Sequence, residues 1–176
     1  MKYILLTLLI AFLFIAAPRK AEAQTDYRDG ALISQDVIAP LMHWVEAQTG
    51  VHVPYLPKVV ASRSQLIDVV SRMDRLPGRA RALYTGGTVI LDNQRFDSED
   101  STQLSLLVHE LVHYAQSFRN QSIYPCAQAK EVEAYTLQNK WLEATGHRPF
   151  VRASWIERVS SCPTAPSQSF AVAAAY

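Results

Sequence analysis

The sequence has little of what phosphate-binding or nucleic-acid-binding proteins display. Its 6 glycines form no Gly-rich phosphate loop, and no stretch of the chain repeats another. Charge of one sign is missing too, since 17 basic residues face 16 acidic ones. There is neither a basic footprint for nucleic acid nor a polybasic patch for a membrane surface. No Ser or Cys stands in a nucleophile motif with its own His and acid. Cysteine is scarce: only Cys126 and Cys162 are present, and neither lies at ligand spacing to another Cys or His. An apolar run long enough to span a membrane comfortably is also lacking, because the stretch from Ile4 to Ala17 is too short.

That short run has another meaning. Lys2 precedes it, and Ala21-Glu22-Ala23 follows as a small-x-small cleavage pattern, so residues 1–23 read as a secretory signal peptide with Gln24 as the mature N-terminus. Arg19 and Lys20 after the apolar run leave an N-terminal membrane anchor as the alternative. The expected location is bacterial export, to the periplasm or beyond. Two cysteines in an exported chain are expected to pair as a Cys126–Cys162 disulfide. Without Lys2, Arg19, Lys20 and Glu22, the 17 basic and 16 acidic residues become 14 and 15, a net charge of minus one. The remaining length suits a single domain, expected over residues 24–162, with a Pro/Ser/Ala-rich, loosely ordered tail at 163–176.

The chemistry-bearing feature is His109-Glu110-Leu111-Val112-His113. Residues four apart on a helix share a face, so His109 and His113 can present two imidazoles to one ion. Glu110, about 100° round the helix, is placed beside that ion rather than on it. There it can act as general base on zinc-bound water, whose pKa the metal lowers towards about 7. The motif needs a helix, and the apolar stretch around it, free of Gly and Pro and preceded by Asp97-Ser98-Glu99-Asp100, predicts one from about Ser98 to Phe118. Three such groups on a largely apolar helix would cost free energy if buried unpaired.

A zinc site of this kind needs a third protein ligand. Gln116 and Arg119 stand where a metzincin-type site would have its glycine and third histidine, which excludes that variant. His147 is one candidate; Glu131 and Glu133 are two more. On a helical wheel, Ala134, Tyr135, Gln138, Trp141 and Leu142 gather within about 80° of Glu131, while Glu133 falls opposite, beside Lys140. Glu131 is therefore the expected ligand on the packed face, with Glu133 as runner-up facing water. A buried salt bridge or helix cap is the structural alternative for Glu131.

With Glu131-Val132-Glu133-Ala134-Tyr135 following the pentapeptide, residues from about Thr88 to Trp141 resemble the gluzincins, zincins of the HExxH type whose second helix donates a glutamate to the metal. The resemblance implies zinc, held by His109, His113 and Glu131, and peptidase activity on a peptide or protein substrate. Several such families carry a small residue three positions after that glutamate and an acid four positions after it. This chain matches at Ala134 but has Tyr135 in place of the acid that orients a zinc-bound histidine. Tyr135 is a candidate donor to an oxyanion, as are Tyr124, His147 and Arg148; each is otherwise an ordinary core or surface residue. The whole chain is similar to small exported bacterial proteins of unassigned function with this helix pair.

The rest of the chain predicts an α+β fold, mainly helical, with a small hairpin or sheet beside the metal helices. Helices are expected at about Ser34–Thr49, Ser64–Met73 with Leu66, Ile67, Val69 and Val70 inward, and Val151–Val159 with Trp155 and Ile156 packed. Lys58-Val59-Val60 is a strand candidate, and Pro77-Gly78 a turn. Ala80–Tyr84 and Thr88–Asp92, joined through Thr85-Gly86-Gly87, read as a hairpin. The second strand runs almost directly into the metal helix, and the resemblance implies that its free edge lines the cleft, where an extended peptide could pair with it. Two functions remain: a zinc metallopeptidase, and a non-catalytic binding or structural protein that keeps zinc as a staple.

Overall fold

The computed structural model describes residues 27–73 and 80–163. The expected signal peptide, the Pro77-Gly78 turn and nearly all of the expected tail lie outside the described residues.

The first helix, α1 (Gln35–Thr49), starts where Ser34 accepts a hydrogen bond from the Asp36 N–H and stops at left-handed Gly50. α2 (Arg63–Arg72) is capped likewise by Ser62, whose side chain accepts from the Gln65 N–H. The short strands β1 (Ala31–Leu32), β2 (Lys58–Ala61), β3 (Ala82–Thr85) and β4 (Thr88–Leu91) form one mixed sheet in the order β1-β2-β4-β3. β2 runs parallel to β4, the other two pairs are antiparallel, and Gly86 and Gly87 at positive φ make the two-residue β3–β4 turn.

Alternation along these strands feeds two cores. Val59, Ala61, Val89 and Leu91 point towards α1 and α3 (Ser101–Gln116), where they meet Met42, Val45, Leu107 and Val108. Leu83 and Ile90 point the other way and are covered by Leu66 and Val70 of α2. Ile67 stays exposed and Val69 half-buried, because ten residues of helix on a narrow sheet bury one stripe only. α4 (Glu131–Ala144) then packs along α3, and Trp141 meets Trp44 of α1 edge-on at 5.4 Å.

The observed topology corrects the expected strand edge. β4 is interior, paired on both sides, and the free edge beside α3 belongs to β3. A parallel β2–β4 pairing requires a crossover, here through α2, which seats β4 beside β2 and leaves β3 outermost. A second correction concerns α5 (Ala153–Ser160), where Trp155 is exposed beneath Arg158 rather than packed; no residue of this short helix is buried.

Cys126 and Cys162 form a disulfide, as expected. It ties the segment entering α4 to the end of α5, across a sequence separation of 36 residues. In the chain-entropy picture a loop of that size contributes about 4 kcal/mol. Replacing both cysteines by Ser should therefore lower the melting temperature by on the order of 10 °C in a thermal melt, and an unchanged melt would show the bridge to be incidental.

Candidate metal centre

Residues of two helices and one strand make the site. α3 begins at Ser101 rather than Ser98, because Asp100 is its N-cap, accepting from the Thr102 and Gln103 N–H groups, while Asp97 turns the chain before it. From Ser105 to Val112 every residue of α3 is buried, so His109 and Glu110 enter the core along with their apolar neighbours. α4 begins at Glu131 itself, directly after a 3-10 turn at Ala127–Lys130. A carboxylate at this position faces the positive end of the helix dipole.

His109, His113 and Glu131 come together as expected. The two Nε2 atoms lie 3.2 Å apart, His109 Nε2 lies 3.3 Å from one Glu131 oxygen, and His113 Nε2 lies 3.5 Å from the other. His109 is fully buried and the Glu131 side chain is 3% exposed. Two imidazole nitrogens and a carboxylate turned towards one point match a small divalent cation: ligands at about 2.0–2.1 Å in tetrahedral array stand roughly 3.3 Å from one another. This trio is also the one cluster of three or more such groups that could hold a metal among the described residues.

Electrostatics sharpen the picture. Burial pushes the Glu131 carboxyl up, but the hydrogen bonds from His109 and His113 outweigh it and hold its pKa at about 2. Burial pushes His113 down, and the same Glu131 outweighs that, raising it to about 9. Glu110 is different: burial raises its pKa, although the two histidines pull the other way. The Tyr84 N–H on the outer edge of β3 donates to Glu110 Oε2 at 2.7 Å, and Oε1 has no partner. Leu83, Tyr84, Glu110, His113, Lys130 and Glu131 line a cleft of about 220 Å³.

The other sequence candidates lie elsewhere. His147 is exposed past the far end of α4, hydrogen-bonded to Thr145, and Arg148 is exposed beside it. Tyr124 meets Arg119. Tyr135 is buried with its ring 4.3 Å from that of His109, and none of these four lines the cleft. Glu133 is not free in water, which corrects the wheel argument. Arg119 Nη1 donates to it at 2.6 Å and Gln116 Nε2 at 3.0 Å. The wheel gives the face of α4, but Arg119 reaches that face from the loop after α3.

Two residues escaped the sequence reading. Gln116 Oε1 lies 2.9 Å from His113 Nδ1, and its i,i+3 spacing from that histidine was the available signal. The Tyr84 main chain had no signal, because a strand order was needed to see it.

Two outcomes follow for metal titration by calorimetry or a chromophoric competitor. Glu131→Gln should abolish tight binding of Zn2+, whereas Glu133→Gln should weaken it by no more than about 10- to 100-fold; loss of the ion from Glu133→Gln alone would refute the ligand assignment. Since His113 titrates at about 9 without metal, it carries a proton at neutral pH that an entering cation must expel. Apparent affinity should therefore rise with pH until about 9 and then level, with proton release seen in weakly buffered solution. A flat profile between neutrality and that value would contradict the His113–Glu131 coupling.

No curated protein and no solved structure matches the chain. Residues 31–166, which hold the sheet, the five α-helices of the described residues and every residue of the site, match the family described as Domain of unknown function (DUF6647), and the chain belongs to that family.

Proposed function

We propose that the chain is an exported zinc-dependent hydrolase, most simply a small metallopeptidase of gluzincin type. The observation that carries this reading is the buried triangle of His109, His113 and Glu131 with edges of 3.2 to 3.5 Å, next to a glutamate that has one oxygen unpartnered. Zinc bound there would supply a Lewis acid and a water acidified towards about pH 7.

The chain's own residues divide the remaining work. Tyr84 N–H fixes Glu110 Oε2 and so orients the carboxylate, leaving Oε1 as the atom that accepts a proton from the attacking water and delivers it to the leaving group. The raised pKa of Glu110 suits this, since a base closer to neutrality both takes and returns a proton readily. Tyr135 packs on His109, so its part is to hold that ring rather than to meet an oxyanion. Leu83 and Tyr84 bring the outer edge of the sheet to the cleft, where an extended peptide could add to it.

Export is supported by the Cys126–Cys162 bridge, since disulfides persist in oxidising compartments. Among the described residues no helix is long and apolar enough to cross a membrane. The second reading, zinc as a non-catalytic staple, draws support from the cleft, whose 220 Å³ is small beside ligand pockets of about 300–1,000 Å³.

The protein purified from the periplasm after expression with its own leader should hold one zinc per chain and hydrolyse members of a broad peptide library. Glu110→Gln should keep the zinc and lose at least about 100-fold in turnover. Stoichiometric zinc with no hydrolysis by the unaltered protein would select the staple.

A further inference from the structure

We propose that Gln116 is a positioning residue for His113: it fixes which ring nitrogen carries the proton and aims the other at the site. Gln116 is completely buried in the α3–α4 interface, and each end of its amide has a defined neighbour. On one side lie the Lys130 carbonyl and the Glu133 carboxylate, both 3.0 Å from Nε2. Both are acceptors, so only the NH2 end can face them. The carbonyl end must then face His113, where Oε1 stands 2.9 Å from Nδ1. A carbonyl oxygen cannot donate, which places the proton on His113 Nδ1. In the neutral ring Nε2 is then the lone pair, and Nε2 is the atom turned towards His109 and Glu131.

The device extends further than one contact. Arg119 holds Glu133 through Nη1 and the Thr49 carbonyl at the end of α1 through Nη2, at 2.7 Å. Gln121 in turn donates to the main-chain carbonyl of Gln116. A chain of hydrogen bonds thus runs from α1 through Arg119, Glu133 and Gln116 to His113, and it gives Glu133 a role that its distance from the ligand trio would not suggest. His109 has no counterpart, because its Nδ1 is buried with no hydrogen-bond partner. One histidine is oriented by hydrogen bonding, the other by packing against Tyr135.

The expected effect on metal affinity rests on the metal reading of the site, whereas the position of the proton does not. The test uses the protein labelled with 15N-histidine, with the His113 signals assigned by their absence in His113→Gln. Long-range proton–nitrogen spectra should show a slowly exchanging proton on His113 Nδ1, both without metal and with zinc, and Gln116→Leu should lose its protection. The same variant should bind zinc about 10- to 100-fold more weakly. The exchanged pair Gln116→Glu with Glu133→Gln keeps an acceptor on His113 and a donor facing the carboxylate, at the cost of an acceptor set against the Lys130 carbonyl, and should recover part of that loss. This pair carries the test if Gln116→Leu does not fold. Gln138→Leu alters another buried amide of the same interface, one that donates to Ser105, and should leave affinity unchanged.

An unprotonated Nδ1 in the zinc-loaded protein, a proton indifferent to Gln116→Leu, no recovery in the exchanged pair, or an equal loss in Gln138→Leu would each overturn the proposal. If the unaltered protein takes up no zinc, the metal reading falls, and whether Gln116→Leu strips the Nδ1 proton of its protection from exchange alone decides the role of Gln116.

Discussion

Everything near the cleft depends on the burial of three ionisable side chains, His109, Glu110 and Glu131, where the packed faces of α3 and α4 meet. Taking such groups out of water without partners is costly, and the charged forms suffer most. The structure answers with mutual contacts: Glu131 bridges both histidines, and Glu110 draws on the main chain of β3. Those contacts leave His109 Nδ1, Glu110 Oε1 and Glu131 Oε2 without a full hydrogen-bond partner. A cation placed among His109 Nε2, His113 Nε2 and the Glu131 carboxylate would supply the missing interaction to Glu131 Oε2, and this incomplete satisfaction is one physical ground of the metal proposal.

The architecture serves that constraint from three sides. The sheet and α1 bury the apolar face of α3 and hold its register, so that residues 109, 110 and 113 cannot slide. The disulfide and the 3-10 turn at Ala127–Lys130 fix where α4 starts, and α4 starts at Glu131. On the remaining side, the outer edge of β3 closes on Glu110 through one main-chain N–H. Three separate pieces of local structure therefore converge on one cleft.

The meeting of His109, His113 and Glu131 was legible in the sequence because it obeys helical periodicity: i,i+4 spacing sets the histidines, and the wheel puts Glu131 on the packed face. The disulfide was legible because the cysteines are just two. What surrounds the trio was not. Glu133 pairs with Arg119, and Gln116 with Lys130, through a loop whose path no periodicity describes. Chain order puts β4 at the cleft because it precedes α3; sheet order follows instead from the crossover through α2. Helical periodicity over Val151–Val159 packs Trp155 inward, yet α5 is too short and peripheral to bury it.

X-ray absorption at the zinc edge, on the protein purified with its native metal, probes the central claim directly. The account predicts one zinc per chain with only nitrogen and oxygen in its first shell, two of the ligands being imidazoles, and loss of both imidazole signatures on replacing His109 and His113 together. Sulfur ligands, a shell without imidazole, or a protein that carries no metal and acquires none on dialysis against zinc would contradict it.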